Sequence, residues 1–183
     1  LPHSAAQQQR DLDNNVPESN RRIDYNPAGR WSADSVRTRY LNLRQQLGGV
    51  QGFELQPRTH TQRGRTWIYS IMDSVAEGIR LGDPACIELA VAYIEADVMI
   101  SGSGYTRERL ARGLCHVPLT QMQKRRLAET FLRQLRQGTL RKEFKEYIRL
   151  FKTIGITEDR EQIKACAGSH KAYIQRAARR LLS

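Results

Sequence analysis

Apolar residues recur three and four positions apart along most of this chain, the spacing that places them on one face of an α-helix. The first such face is Val36, Tyr40, Leu43 and Leu47. It follows Ser32, a good N-terminal cap, and stops at Gly48-Gly49. Trp67, Ile68, Ile71, Met72, Val75 and Ile79 predict a second helix, running from Thr66 to Gly82. Asp83-Pro84 then reads as a cap followed by proline in the first turn. The helix behind it carries Ile87, Leu89, Ala90, Tyr93, Ile94 and Val98 and is apolar around much of its circumference, which suits the centre of a core. Ser101-Gly102-Ser103-Gly104 is a break. Beyond it the pattern predicts a short helix from Thr106 to Leu114 and a long one capped by Thr120 and ended by Gly138. A further helix runs from Leu140 to Ile154 behind Thr139, and two last ones lie near 158–166 and 170–182 behind Thr157 and Ser169.

Seven or eight helices joined by short turns, in antiparallel pairs, make an all-α fold. Two architectures fit: a compact bundle, or a short stack of the HEAT or armadillo kind, for which no repeat period is found. Two stretches stand outside the helical pattern. Residues 1–30 form a polar arm, with Gln7-Gln8-Gln9, Asn14-Asn15 and Pro17, whose composition predicts disorder in isolation. Such an arm would gain order by lying on the domain or on a second copy, so a homo-oligomer is one expectation. Residues 50–65 alternate too briefly for more than a small hairpin and read as a basic loop ahead of a single helical domain spanning 31–183.

Charge changes this picture more than composition does. Residues 1–100 hold 11 Lys+Arg against 12 Asp+Glu, and residues 101–183 hold 19 against 7, so the chain's net +11 comes wholly from its second part. Residues 61–100, with 3 basic and 6 acidic side chains, look like an acidic helix pair that docks on basic neighbours. In the predicted helix 140–154, Arg141, Lys142, Lys145, Arg149 and Lys152 oppose Leu140, Phe144, Tyr147, Ile148 and Phe151. Arg126, Arg133 and Arg136 in the long helix, and Arg176, Arg179 and Arg180 in the last one, also oppose apolar faces. Basic faces that recur on several helices point to a polyanion or an acidic protein as partner. Arg63 and Arg65, beside His60 and Trp67, add a basic loop, with Trp67 expected to be the first core residue of its helix.

Sharper chemistry finds little support. Helix 106–114, its turn and helix 120–137 have the order of a helix–turn–helix, with Gln121, Gln123, Lys124 and Arg125 leading the second helix, but the turn is long and contains Pro118. Gly102-Ser103-Gly104 lacks the Gly-Lys-Ser/Thr ending of a phosphate loop. Asp73 and Glu77 have no histidine at ligand spacing, and Cys115-His116 has no orienting acid, so neither metal, cofactor nor catalysis is expected. Cys86, Cys115 and Cys166 are odd in number and far apart, which suggests reduced thiols and a cytoplasmic protein. No apolar run approaches the roughly 20 residues of a membrane span. The sequence thus predicts a non-catalytic nucleic-acid-binding protein. Phosphate contacts would come from Arg126, Arg133, Arg141, Lys142, Lys145, Arg149, Lys152, Arg176, Arg179 and Arg180, with Arg63 and Arg65 nearby. The alternative is a helical interaction scaffold for an acidic partner.

Overall fold

The computed structural model describes residues 21–100, 102–155 and 157–183. The expectations for residues 1–20 of the arm lie outside the described residues. Eight α-helices occur among them: α1 (Ala33–Leu47), α2 (Ile71–Arg80), α3 (Pro84–Glu95), α4 (Ser103–Leu114), α5 (Gln121–Gln137), α6 (Phe144–Ile154), α7 (Arg160–Ala167) and α8 (Ala172–Leu182). Three of the expected caps hold their helices. Ser32 Oγ accepts from Ser35 N, and Asp83 Oδ1 accepts from Cys86 N. Thr120 Oγ1 accepts from Gln123 N while the Gln123 side chain accepts from Thr120 N, a capping box. Each satisfies amide groups that no carbonyl reaches, worth about 0.5–2 kcal/mol.

Helix α3 is the axis of the fold. Ala85, Cys86, Ile87, Leu89, Ala90, Val91, Tyr93 and Ile94 are all buried, and α1, α2, α4 and α5 pack around them. At about 1.5–3 kcal/mol for each large aliphatic side chain removed from water, this one helix anchors the core. A central helix touched by four others is bundle packing, since in a solenoid each unit meets only its neighbours in sequence. Helix α6 lies on α4 and α5, and the α7–α8 hairpin closes over α5 and α6. Helices α2 and α3 approach closely at Gly78, where a Cβ would stand 2.3 Å from Cys86 Sγ. Changing Gly78 to Ala is expected to lower stability by about 1–3 kcal/mol through overpacking, read as a lower denaturation midpoint with an unchanged slope.

The stretch from Thr59 to Ile68 corrects the sequence-based expectation. It is a hairpin of β2 (Thr59–Gln62) and β3 (Arg65–Ile68), and β1 (Arg21–Asp24), from the supposed arm, pairs in parallel with β3. The strand order is β1-β3-β2. Trp67 and Ile68 mimicked the start of a helical face, but Thr59, Thr61 and Thr66 favour strand. Arg63-Gly64, at φ 48° and 70°, makes the two-residue turn whose twist suits a hairpin. Helix α2 begins only at Ile71, capped by Ser70. Trp67 is half-buried on the sheet rather than in the helical core.

Four other helix starts shift. Helix α6 opens at Phe144 instead of Leu140, because Arg141 to Glu143 form a turn and Glu143 is drawn to another partner. Helix α4 opens at Ser103, one turn before Thr106, behind Gly102 at φ 77°. Helices α7 and α8 open at Arg160 and Ala172 without the side-chain caps expected of Thr157 and Ser169.

Candidate functional site

Much of the basic surplus is used inside the fold. Helix α3 and the turn behind it supply carboxylates to the later helices. Arg126 on α5 reaches Glu88 at 2.5 Å and Glu95 at 2.5 Å. Those hydrogen bonds, that to Glu95 first, push its guanidinium pKa up even against the cost of burial, so its charge is fixed and already matched. Arg133 leans on the Glu95 carbonyl at 3.4 Å. Arg141 pairs with Asp97 at 3.1 Å, and Arg109 pairs with Asp73 at 2.6 Å. The acidic helix pair docks on basic neighbours through these contacts, and Asp73 and Glu77 are spent on Arg109 and Arg80.

Arg107 belongs to the same system and was not singled out by its sequence context. Its side chain is 2% exposed and donates from Nε and Nη2 to Glu143 Oε1, at 2.8 and 2.5 Å. Nη1 donates to the Val98 carbonyl and to Ser103 Oγ. The glycine-flanked turn at Ser103 is thereby filled by an internal guanidinium. The helix–turn–helix idea also loses its reading edge, since Gln123 is buried in its capping box and donates to Glu88. Cys115 Sγ donates to Ala111 O, and no group of three or more His, Cys, Asp or Glu able to hold a metal occurs among the described residues.

Three groups of the remaining basic residues stand out. The first is an outer stripe on α6. Lys142 in the turn before it, then Lys145, Arg149 and Lys152, are all exposed. Lys145 has Glu108 at 3.5 Å, while the other three make no ion pair among the described residues. The C-terminal end of the stripe reaches α8, where Lys152 Nζ donates to Ser183 Oγ at 3.4 Å and Ser183 Oγ donates to the Arg180 carbonyl. Arg176, Arg179 and Arg180 are exposed on α8, again with no ion pair among the described residues.

The second place is a cleft of about 1030 Å³ between α5, the end of α6 and the start of α7. Lys124, Arg125, Arg133 and Arg136 line it with Glu129, Glu158 and Asp159, above apolar Ala128, Leu132 and Ile154. Burial, then the nearby Glu158 and Glu129 charges, push the Asp159 carboxyl above the usual aspartate range. The third place is the small sheet, which carries Arg21, Arg22, Arg63 and Arg65. Arg63 and Arg65 therefore sit on the hairpin and are not part of the helical stripe.

The chain matches no known protein family, curated protein or solved structure. Function has to be argued from the surfaces alone. Of these, the exposed basic side chains of α6 and α8 have the fewest internal partners. The three cysteines are free thiols, with Cys86 and Cys166 buried, and no helix among the described residues is long and apolar enough to cross a membrane.

Proposed function

We propose that the α6–α8 surface binds nucleic acid through its phosphate backbone, without reading bases. What supports this reading is the contrast in pairing. Arg107, Arg109, Arg126 and Arg141 are matched by carboxylates of the same chain, whereas Lys142, Arg149, Lys152, Arg176, Arg179 and Arg180 face solvent unmatched. A solvated helix face serving only solubility would mix both signs; this one leaves a single sign free. Arg126 and Arg141 drop out of the contact set on this reading, because reaching a phosphate would break their ion pairs. Free thiols fit a reducing, cytoplasmic setting for such a protein.

Binding is expected to fall steeply with salt, since each Lys or Arg that neutralises a phosphate releases counterions. Changing Lys142, Arg149 and Lys152 together to Glu should flatten the slope of log affinity against log salt by about 3 on duplex DNA. Anisotropy of a labelled duplex, with circular dichroism to confirm the fold, measures this. Absence of binding at low salt by protein purified free of nucleic acid would overturn the proposal. A second reading, a scaffold for an acidic protein segment, rests on the α5–α7 cleft, with its apolar floor and a rim of four basic and three acidic side chains. Acidic peptide binding that charge reversal at Lys124 and Arg125 abolishes, with no nucleic-acid affinity, would favour it.

A further inference from the structure

The sheet has one face built differently from the helices. Residues that pair across the strands share a face, and faces alternate along each strand. Arg21, Arg65 and Gln62 form one row, and Ile23, Trp67 and His60 form the next on the same face. The ladder continues past the strand ends, since Tyr25 N donates to Ile68 O and Tyr69 N donates to Arg58 O. A third row, Tyr25, Tyr69 and Arg58, follows by the same alternation. Buried Ile68 points to the opposite face, which leaves these rows toward solvent.

The aromatic rings in these rows are stacked in pairs. His60 and Trp67 have centroids 5.6 Å apart at 27°, and Tyr25 and Tyr69 have centroids 6.1 Å apart at 26°. Tyr25 and Tyr69 are 55% and 40% exposed, a cost that no core contact offsets. Every charged residue in the three rows is an arginine, and Arg63 adds another at the hairpin tip, while Asp24 belongs to the other face and lies 3.7 Å from Arg22. Arg63 also holds a left-handed φ of 48°, where Asn or Gly is the relaxed choice. An arginine kept at a strained tip beside exposed rings suggests a ligand that is both anionic and flat.

We propose that this face is a stacking platform for single-stranded nucleic acid, with bases on the His60–Trp67 and Tyr25–Tyr69 pairs and phosphates held by Arg63 and Arg65. The ligand class follows the proposed function, but the residues and the mechanism are separate. The helical stripe would hold a backbone in either form. The sheet selects unpaired bases, because a duplex hides the base faces that stacking needs.

The chain has two tryptophans, which makes the test direct. Trp31 is buried against Tyr93 and beneath Arg39, so a ligand on the sheet alters mainly Trp67 emission. Titration with a single-stranded DNA of roughly 12 nucleotides is expected to quench that emission saturably. The same sequence as a duplex should bind without the quench. Trp67→Leu should remove the quench and weaken single-strand affinity about 5- to 100-fold while leaving duplex affinity unchanged. Arg63→Asn guards against a variant that merely unfolds: its melting temperature should hold or rise, because the turn relaxes, while single-strand affinity falls several-fold. Single-strand binding with no Trp67 quench, and unaffected by either variant, would overturn the platform and leave the α6–α8 proposal standing. Quenching that survives reversal of Lys142, Arg149 and Lys152 would support the platform even if duplex binding were absent. No binding of either form would overturn both.

Discussion

Replacing Arg107 by Met is expected to remove about 3–5 kcal/mol of folding stability, although Arg107 touches no candidate ligand surface. The guanidinium is 2% exposed and the Glu143 side chain 6%, so truncation strands a carboxylate away from water. Val98 O and Ser103 Oγ lose a donor as well. Against a total stability of about 5–15 kcal/mol for a domain, that loss should bring the protein close to unfolding at physiological temperature. The companion change Glu143→Leu alone should be similarly harmful, because it leaves the buried arginine only Asp97, 3.9 Å away and shared with Arg141. Combined, Arg107→Met and Glu143→Leu should recover a large part of the loss, since apolar replacement of a whole buried pair is often near neutral. Chemical denaturation of the four proteins gives the coupling. Strictly additive losses would show that the two side chains do not stabilise each other.

Asp83→Ala is expected to cost about 3 kcal/mol or more, because one fully buried carboxylate ties three segments together. Its Oδ1 caps α3 at Cys86 N, and its Oδ2 accepts from Val50 N at 2.9 Å and from the Tyr40 hydroxyl at 3.2 Å. Removing it leaves the buried Cys86 amide and the part-buried Val50 amide without an acceptor. The same site gives the fold an alkaline limit. Burial first, then Asp83, pushes the Tyr40 pKa up to about 12, and burial pushes the Cys86 thiol up as well. A group whose folded pKa lies above its unfolded one stabilises the native state while it stays protonated. That contribution is whole below the ordinary thiol and phenol values of about 8.5 and 10, and is lost as pH rises through the folded values. Denaturation midpoints should therefore hold to about pH 8 and then decline toward pH 12. A flat alkaline profile would contradict the burial described for Tyr40.

Where the sequence was legible, a local signal coincided with a tertiary demand. Ser32, Asp83 and Thr120 could be read as caps because their oxygens serve the nearest amides, whatever the rest of the chain does. Helix α3 announced its place by having apolar residues on nearly every side. Trp67 and Ile68 misled because strand residues followed by helical ones, at the right distance, imitate a single face. The alternation from Arg58 to Tyr69, across Arg63-Gly64, was the signal that outweighs it. Arg107 could not be found by such means. Nothing local marks Arg107 as buried, since the acid it binds most closely, Glu143, lies 36 positions away. The basic stripe was partly legible: the helical period gave each basic side, but Arg126 and Arg141 look like Arg149 until Glu88, Glu95 and Asp97 are placed beside them.

Asn26 gives the sheet its attachment to the helices. Its Oδ1 accepts from Ile71 N at the start of α2, and its Nδ2 donates to Tyr69 O and Asp24 Oδ1. No residue of the three strands joins the apolar cluster shared by the eight helices. The sheet is thus expected to open more readily than the helical body. In hydrogen exchange, strand amides are expected to open at a small fraction of the global unfolding free energy, and those of α3 only with the whole molecule. On the proposed reading, a sheet that loosens in this way would release a bound strand while the helical body stays folded.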